Sequence, residues 1–185
     1  MTDQIMKNGR KEMTEVIEAT TKSFAGIRTG RANPGLLDRV VVSYYGTPTP
    51  LNQMASISVP EPRLLVITPW DKSAIKDVEK AILVADLGLV PTNDGTVIRI
   101  AIPALTEERR KELVRLVRND AEEFRIRIRN IRRDLNDAVK LLEKESEISE
   151  DQSHRVQEKI QKQTDEFIAE IDKLLEVKET EIMEV

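Results

Sequence analysis

The segment that decides the fold is the longest regular one, residues 106–145, which read TEERRKELVRLVRNDAEEFRIRIRNIRRDLNDAVKLLEKE. Its apolar residues recur at steps of three and four from Val117 onward, and this near-heptad spacing predicts one α-helix. Glu107 and Glu108 suit the positive N-terminal end of that helix. At 1.5 Å per residue the helix is about 60 Å long. Its apolar seam comprises Leu113, Val117, Ala121, Phe124, Ile128, Ile131, Leu135, Val139 and Leu142.

The distribution of proline predicts two further helices. All eight prolines lie in the middle of the chain, and residues 1–30 and 105–185 contain none. Because proline is excluded from helix interiors, both ends are predicted to be helical. The first helix is predicted to end at Gly30, which suits the left-handed position after a helix. The last helix is predicted to begin at Ser149, where Gln152 completes a capping box.

Each of the three helices carries one phenylalanine on its apolar face, at Phe24, Phe124 and Phe167. A helix with a single apolar stripe cannot bury that stripe by itself. We therefore predict an antiparallel three-helix bundle in which these three rings pack together.

The proline-containing middle of the chain, residues 31–104, has a different pattern. Short runs rich in valine, isoleucine and tyrosine alternate with turn signals, as is typical of strands. The predicted strands are 37–45, 54–59, 63–69 and 96–102, and one helix is predicted over 71–87. This middle segment is therefore predicted to be a small β/α/β domain.

The predicted fold class is α+β. Residues 1–30 and 105–185 form the bundle, and residues 31–104 form the domain inserted between its first two helices. The two joins contain residues that break helices or fix local turns, and we predict that they act as a hinge. The hinge residues are Gly30, Arg31, Pro34, Gly35, Pro103 and Ala104.

Composition excludes several kinds of site. The 185 residues include 29 basic and 33 acidic ones, for a net charge of −4, and only 3% are aromatic. Cysteine is absent, so the chain has no disulfide and no thiolate ligand, and His154 is its one histidine. The longest apolar run, 81–91, is too short to span a membrane. We expect a soluble, cytoplasmic protein with no metal and no cofactor.

No combination of residues predicts catalysis. The glycines form no phosphate-binding loop, and the neighbouring acids Glu107 and Glu108 point about 100° apart on a helix rather than converging. His154 lies in the first turns of a polar helix, which favours a surface position. Tyr44 and Tyr45 fall on opposite faces of a predicted strand, so one is expected in the core and the other is a candidate contact residue.

The informative feature is a row of arginines on the long helix. At 100° per residue, four of them fall within roughly 60° of one another and about 110° from the apolar seam, so they are predicted to face solvent. Residues 109–133 carry 10 basic and 4 acidic groups, a local charge of +6. We call this set the arginine row: Arg118, Arg125, Arg129 and Arg132, flanked by Arg115 and Arg133.

Two interpretations of the arginine row remain open on the pattern alone. Arginine binds phosphate oxygens in a bidentate manner, so a rigid helix with aligned arginines suits a nucleic-acid backbone. Alternatively, the row forms salt bridges with the acidic last helix, or with an acidic protein partner. Stacking aromatics are lacking beside the row, so any RNA is expected to be recognised by shape.

Several motifs, taken in order and spacing, resemble the ribosome recycling factor family over essentially the whole chain. The matching segments are Ile27-Arg28-Thr29-Gly30-Arg31-Ala32-Asn33-Pro34, Tyr44-Tyr45-Gly46-Thr47-Pro48-Thr49-Pro50-Leu51, Ala85-Asp86-Leu87-Gly88-Leu89, Pro103-Ala104-Leu105-Thr106-Glu107-Glu108-Arg109-Arg110 and Arg129-Asn130-Ile131-Arg132-Arg133-Asp134.

The resemblance implies an L-shaped, monomeric protein that is not an enzyme. It implies binding to the large ribosomal subunit and its rRNA in a post-termination complex, and subunit splitting with elongation factor G and GTP hydrolysis. By motif match it also implies RNA contacts at Arg28, Arg31, Arg129 and Arg132. A coiled-coil adaptor and an unrecognised hydrolase are the rival interpretations.

Overall fold

The computed structural model describes residues 1–184, which form two compact units. The bundle unit comprises residues 1–29 together with the chain from Glu107 onward, and the inserted unit comprises residues 30–106. The predicted joins, 30/31 and 104/105, lie one and two residues from these boundaries.

The helices and strands are numbered in chain order. The α-helices are α1 Thr2–Ala25, α2 Ile75–Val84, α3 Glu107–Lys144 and α4 Glu150–Met183. The strands are β1 Val41–Tyr44, β2 Thr47–Pro50, β3 Ala55–Glu61, β4 Leu64–Pro69, β5 Pro91–Asn93 and β6 Ile98–Ala101. Short 3-10 helices cover Pro34–Leu37, Leu51–Gln53 and Lys72–Ala74.

Helices α1, α3 and α4 pack as an up-down-up bundle. A Cβ atom on Gly9 of α1 would overlap Leu135 of α3, and Phe24 meets Phe124, so residue numbers rise along α1 as they fall along α3. Helix α4 runs antiparallel to α3 by the same criterion, since Arg118 contacts Glu179 and Arg132 contacts Gln161. The predicted bundle is therefore confirmed. Its buried seam includes Met13, Leu113, Val117, Ala121, Ile128, Leu135, Val139, Val156, Ile160 and Ile171.

The predicted three-ring cluster is correct for only two of its members. Phe24 and Phe124 pack edge to face with centroids 6.5 Å apart. Phe167 is also buried, but its ring lies beneath the Arg10 guanidinium, 5.7 Å from the centroid. In the α3–α4 register Phe124 lies level with Lys173, so Phe167 is about six residues, or roughly 9 Å, further along α4.

The helix ends follow local chemistry. Ser149 and Gln152 form the predicted capping box at the start of α4, each side chain bonding to the backbone of the other. The predicted end of α1 at Gly30 is wrong. The helix stops at Ala25, where Gly26 caps the last turn by donating to the Lys22 carbonyl, and Gly30 lies in the following loop with φ +75°.

The inserted unit contains two antiparallel sheets around one apolar core. Strands β1 and β2 form a hairpin, and the second sheet has the order β3-β4-β6-β5. Residues alternate along β6, so that Ile98 and Ile100 are buried while Arg99 is exposed. Helix α2 packs against β1 and β5. The core also includes Leu37, Val40, Val42, Leu51, Leu65, Ile67, Ile75, Val78 and Ile82.

Two strands of the inserted unit were not predicted. Strand β2 lies between the predicted strands 37–45 and 54–59, and the turn that joins it to β1 falls at Tyr45 and Gly46, both with positive φ. The two prolines of β2 are tolerated because the strand lies at the edge of a two-stranded sheet. Strand β5, Pro91–Asn93, is only three residues long and shows no periodicity.

The two tyrosines differ from the prediction. Tyr44 is half-buried, and its hydroxyl donates to Asp71 Oδ2 at 2.8 Å. Tyr45 is 82% exposed, but its left-handed backbone places its ring 4.6 Å from that of Tyr44 rather than on the opposite face. The hydrogen bonds from Ser73 and Tyr44 hold the pKa of Asp71 below its usual range.

Candidate nucleic-acid interface

The arginine row runs along the flank of α3 that faces α4, and its two halves have different partners. At one end, Arg118 donates from Nε and Nη2 to both carboxylate oxygens of Glu179, at 2.5 and 3.2 Å. Two turns further along α3, Arg125 donates from Nε to Asp172 Oδ1 at 2.8 Å, and its Nη2 lies 2.6 Å from the same oxygen in an ion pair. These two arginines therefore join α3 to α4.

The prediction that the whole arginine row faces solvent is wrong for Arg125. Its side chain is only 19% exposed, whereas that of Arg118 is 63% exposed. The predicted angle between the row and the apolar seam applies to an isolated helix. In the bundle, the polar edge of α4 extends beyond the seam and covers Arg125.

Glu122 connects the buried and open parts of the arginine row. Its Oε2 accepts from Arg125 Nη1 at 3.1 Å, and its Oε1 accepts from Arg129 Nη1 at 2.9 Å. The hydrogen bonds from Arg129 and Arg125 hold the pKa of the Glu122 carboxyl below its usual range. Glu122 therefore stays ionised and keeps two guanidinium groups in place.

The other half of the arginine row retains more hydrogen-bonding capacity. Arg132 donates from Nη1 to the neutral Gln161 side chain at 3.0 Å. Arg133 is 69% exposed, and its Nε lies 3.9 Å from Asp134, beyond hydrogen-bonding distance. Within residues 1–184, Arg129 and Arg132 each donate through Nη1 alone, which leaves most of their five N–H groups without a protein acceptor. These donors suit phosphate oxygens. Arg129 is exposed, whereas Arg132 is half-buried, so the predicted solvent-facing position holds only in part for Arg132.

Arg127, which the helical pattern placed on another face, lies apart from the row as predicted. Its guanidinium stands 5.1 Å from the centroid of the Phe124 ring. It lines a shallow cavity between α1 and α3 together with Glu12, Glu15 and Asn130. Arg127 therefore serves as a control position for the arginine row.

The remaining predicted RNA contacts lie outside α3. Arg28 and Arg31 are both exposed and follow the end of α1. Arg28 belongs to the bundle unit and Arg31 to the inserted unit. Each of them takes part in an interaction within the protein. Their role as RNA contacts stays a prediction.

The predicted hinge residues all fall within the inserted unit. Gly30 has φ +75°, and a Cβ atom there would lie 3.0 Å from Leu105 Cγ. Pro34 and Gly35 belong to a 3-10 helix, which Asn33 caps by accepting from the Gly35 N–H at 2.9 Å. Pro103 and Ala104 are exposed and follow β6. Of the six, Gly30 has the conformation that most requires glycine.

The carboxylates that hold the arginines, Glu122, Asp172 and Glu179, are part of this surface but were not predicted from the sequence pattern. Asp172 lies 47 residues from Arg125 in sequence, and Glu179 lies 61 from Arg118. The antiparallel register provides the missing signal, because the residue numbers of both pairs add to the same sum.

Metal-binding groups and membrane-spanning helices were both sought among residues 1–184. Among the described residues, no group of three histidine, aspartate or glutamate side chains is placed to hold a metal ion. No helix of residues 1–184 is long and apolar enough to cross a membrane.

Comparison with known proteins assigns the family. A family model described as "Ribosome recycling factor" matches residues 20–183. Ribosome-recycling factors of Carboxydothermus hydrogenoformans and Bacillus subtilis are 57% and 56% identical to the chain, with complete coverage of both sequences in each case.

Solved structures agree with this assignment. A solution structure of ribosome recycling factor has a TM-score of 0.77 and 45% identity, and covers 100% of this chain and 98% of its own. The Thermus thermophilus factor, in a structure described with Escherichia coli elongation factor G bound to the post-termination complex, has a TM-score of 0.67, 50% identity and full coverage of both chains. The predicted α+β fold class is thereby confirmed, and the chain belongs to the ribosome recycling factor family.

Proposed function

We propose that this protein recycles ribosomes by binding rRNA of the large subunit through the arginine row, while elongation factor G and its GTP hydrolysis drive the splitting. Family membership supports the recycling function and a translation factor that is not an enzyme. The described complex of a relative with elongation factor G on the post-termination ribosome supports the same partner here.

One observation supports the RNA-binding role most directly. Arg129 and Arg132 lie on one long helix, and each uses a single nitrogen for contacts within the protein. Since α3 is a continuous helix of 38 residues, the spacing between these guanidinium groups is set before any ligand arrives. Preorganised donors lose little conformational entropy on binding, which favours contact with a rigid phosphate surface.

The salt-bridge interpretation applies to part of the row. Arg118 and Arg125 pair with carboxylates of α4, so they hold the bundle together in the absence of RNA. Arg129, Arg132 and Arg133 are then the principal phosphate contacts in our proposal, with Arg28 and Arg31 contributing separately. A coiled-coil adaptor that binds an acidic protein remains the alternative to be tested.

The proposed setting is the cytoplasm, where ribosomes translate, and the proposed form is a monomer. Sedimentation equilibrium tests the oligomeric state, and we expect the mass of one chain. A monomer suits the arrangement, because each α3 then presents its arginines without a second copy covering them.

Cosedimentation with isolated large subunits tests the proposal. If about three phosphates are neutralised, log affinity falls with log salt at a slope of roughly −2 to −3. Binding that is salt-independent, or that prefers acidic proteins to ribosomes, would instead support the adaptor.

A further inference from the structure

The carboxylates beside the arginine row carry an inference about selectivity. Glu122, Asp172 and Glu179 occupy N–H donors that a phosphate would otherwise contact. We call these three residues the carboxylate row. We propose that the carboxylate row selects the ribosomal surface over other RNA, because it competes with phosphate for the same guanidinium groups; this inference rests on the proposed function.

The degree of competition differs along the helix. All three guanidinium nitrogens of Arg125 are engaged, by Asp172 and by Glu122. Arg118 gives two nitrogens to Glu179, and Arg129 gives one to Glu122. A phosphate that approaches Arg125 must therefore displace a carboxylate, whereas one that approaches Arg118 finds only Nη1 without a carboxylate partner. In both places the phosphate also meets the repulsion of a like charge.

This arrangement penalises flexible RNA more than a rigid ribosomal surface. When a phosphate of a flexible RNA displaces a carboxylate, one ion pair replaces another. The RNA strand must also become ordered, so the net gain in binding free energy is small. A fixed RNA surface engages the open donors of Arg129 and Arg132 together, and its further phosphates are then already in place. Specificity built from unfavourable contacts with the wrong partner is common in protein interfaces.

The carboxylate row is exposed enough for its arginines to exchange a carboxylate partner for a phosphate. The side chains of Glu122 and Asp172 are 49% and 53% exposed, so water can solvate each carboxylate once its arginine turns to RNA. Glu179 is 26% exposed and borders an open cavity with Arg115 and Arg118. None of these carboxylates would be left unsolvated in a dry interior after exchange.

The experiment compares charge-matched variants on two RNA ligands. Glu122→Gln removes the carboxylate that holds Arg129 and Nη1 of Arg125, while Arg125 stays paired with Asp172. Glu123→Gln removes the same charge one residue away, where no described ion pair is broken. Asp172→Asn and Glu170→Gln form a second matched pair on α4. Affinity is measured by fluorescence anisotropy for labelled poly(U), a flexible RNA, and by cosedimentation for isolated large subunits.

We expect Glu122→Gln to tighten poly(U) binding about 5- to 10-fold at low salt, since charge-assisted donors are released. Each extra phosphate contact steepens the salt slope by roughly 0.7. Glu123→Gln and Glu170→Gln should change poly(U) affinity by less than about 2-fold. Large-subunit affinity should rise less than poly(U) affinity, so the ratio of the two falls at least about 3-fold in Glu122→Gln and Asp172→Asn.

Equal effects of Glu122→Gln and Glu123→Gln on poly(U) would overturn the inference, as would an unchanged ratio of affinities. Failure of the wild-type protein to cosediment with large subunits would instead overturn the proposed function, and the wild type alone tests that. Circular dichroism checks that each variant folds. Glu179→Gln, which releases only Arg118, is an independent variant. It should also increase poly(U) affinity, but by less than Glu122→Gln does.

Discussion

The bundle unit and the inserted unit are stabilised in different ways. The bundle unit buries one apolar stripe from each of three long helices, and its polar edges are joined by ion pairs between α3 and α4. The inserted unit buries aliphatic side chains between short strands and α2, and Asn33, Asp71 and Asp94 cap its turns. Each unit has its own apolar core.

The difference separates two functional demands. A surface that binds a large RNA needs charges held at fixed spacing, and long helices supply both length and rigidity. A domain on which another protein exerts force needs a core of its own, so that it stays folded, and a connection to the RNA-binding domain that is distinct from the RNA contacts. We therefore expect the bundle unit to carry affinity and the inserted unit to carry splitting.

Removal of the inserted unit tests this division with the largest expected effect. A short flexible linker from Thr29 to Glu107 should give a folded helical protein, because the bundle core comes only from the bundle unit. Large-subunit binding should stay within a few-fold of normal, while splitting with elongation factor G should fall to background in a light-scattering assay. Splitting at a near-normal rate would show that the inserted unit is dispensable.

Single core truncations test whether the two cores are independent. Ile128→Ala in α3 and Ile98→Ala in β6 each remove a fully buried side chain and should cost about 2–5 kcal/mol of stability. Native-state hydrogen exchange should show lost protection mainly in the unit that carries the change. Equal loss of protection in both units after either substitution would mean that they unfold as one.

Charge reversal at Arg129 and Arg132 tests whether the arginine row provides the affinity for the large subunit. Arg129→Glu with Arg132→Glu should weaken large-subunit binding about 100-fold, since each charge-assisted contact becomes a repulsion. Helical content should not change, because both side chains lie outside the apolar seam. Arg127→Glu is the matched control on another face of α3 and should have a much smaller effect. Unchanged affinity in the double variant would move the interface away from α3.

A glycine substitution tests the proposed hinge. Gly30→Ala forces a left-handed conformation on a residue with a Cβ, which costs about 1–2 kcal/mol. We expect splitting to slow several-fold while large-subunit binding stays within a few-fold of normal. Gly95→Ala is the control, since Gly95 also has positive φ but lies in a hairpin turn with open space around it. Equal slowing in both variants would indicate lost stability rather than lost motion.

The smallest expected effect concerns pH and Glu122. Its pKa is lowered from the usual value near 4.5, first by the Arg129 hydrogen bond and then by that of Arg125. The stability that this carboxylate contributes is therefore present at neutral pH and is lost as pH falls through the lowered pKa. The melting temperature of the wild type should be slightly higher than that of Glu122→Gln at pH 7, and the difference should shrink as the pH falls below 4.5. Glu123→Gln should show no comparable gap at either pH.

Much of the bundle could be predicted because helices are encoded locally. The three- and four-residue spacing, the absence of proline and the Ser149 capping box each act within a few turns of chain. Strands β2 and β5 could not be predicted in the same way. Their prolines and short lengths resemble turns, and only pairing with β1 and β6 makes them strands.

Residue spacing along the chain was enough to predict the fold class, the three long helices and the alignment of four arginines on one flank of α3, because helical geometry requires no partner. Which of those arginines are already paired depends on how the helices pack. Arg118 and Arg125 meet carboxylates 61 and 47 residues away, and that encounter depends on the antiparallel register of α3 and α4. Local periodicity places a charge on a face, but the neighbouring helix determines whether that charge is already paired.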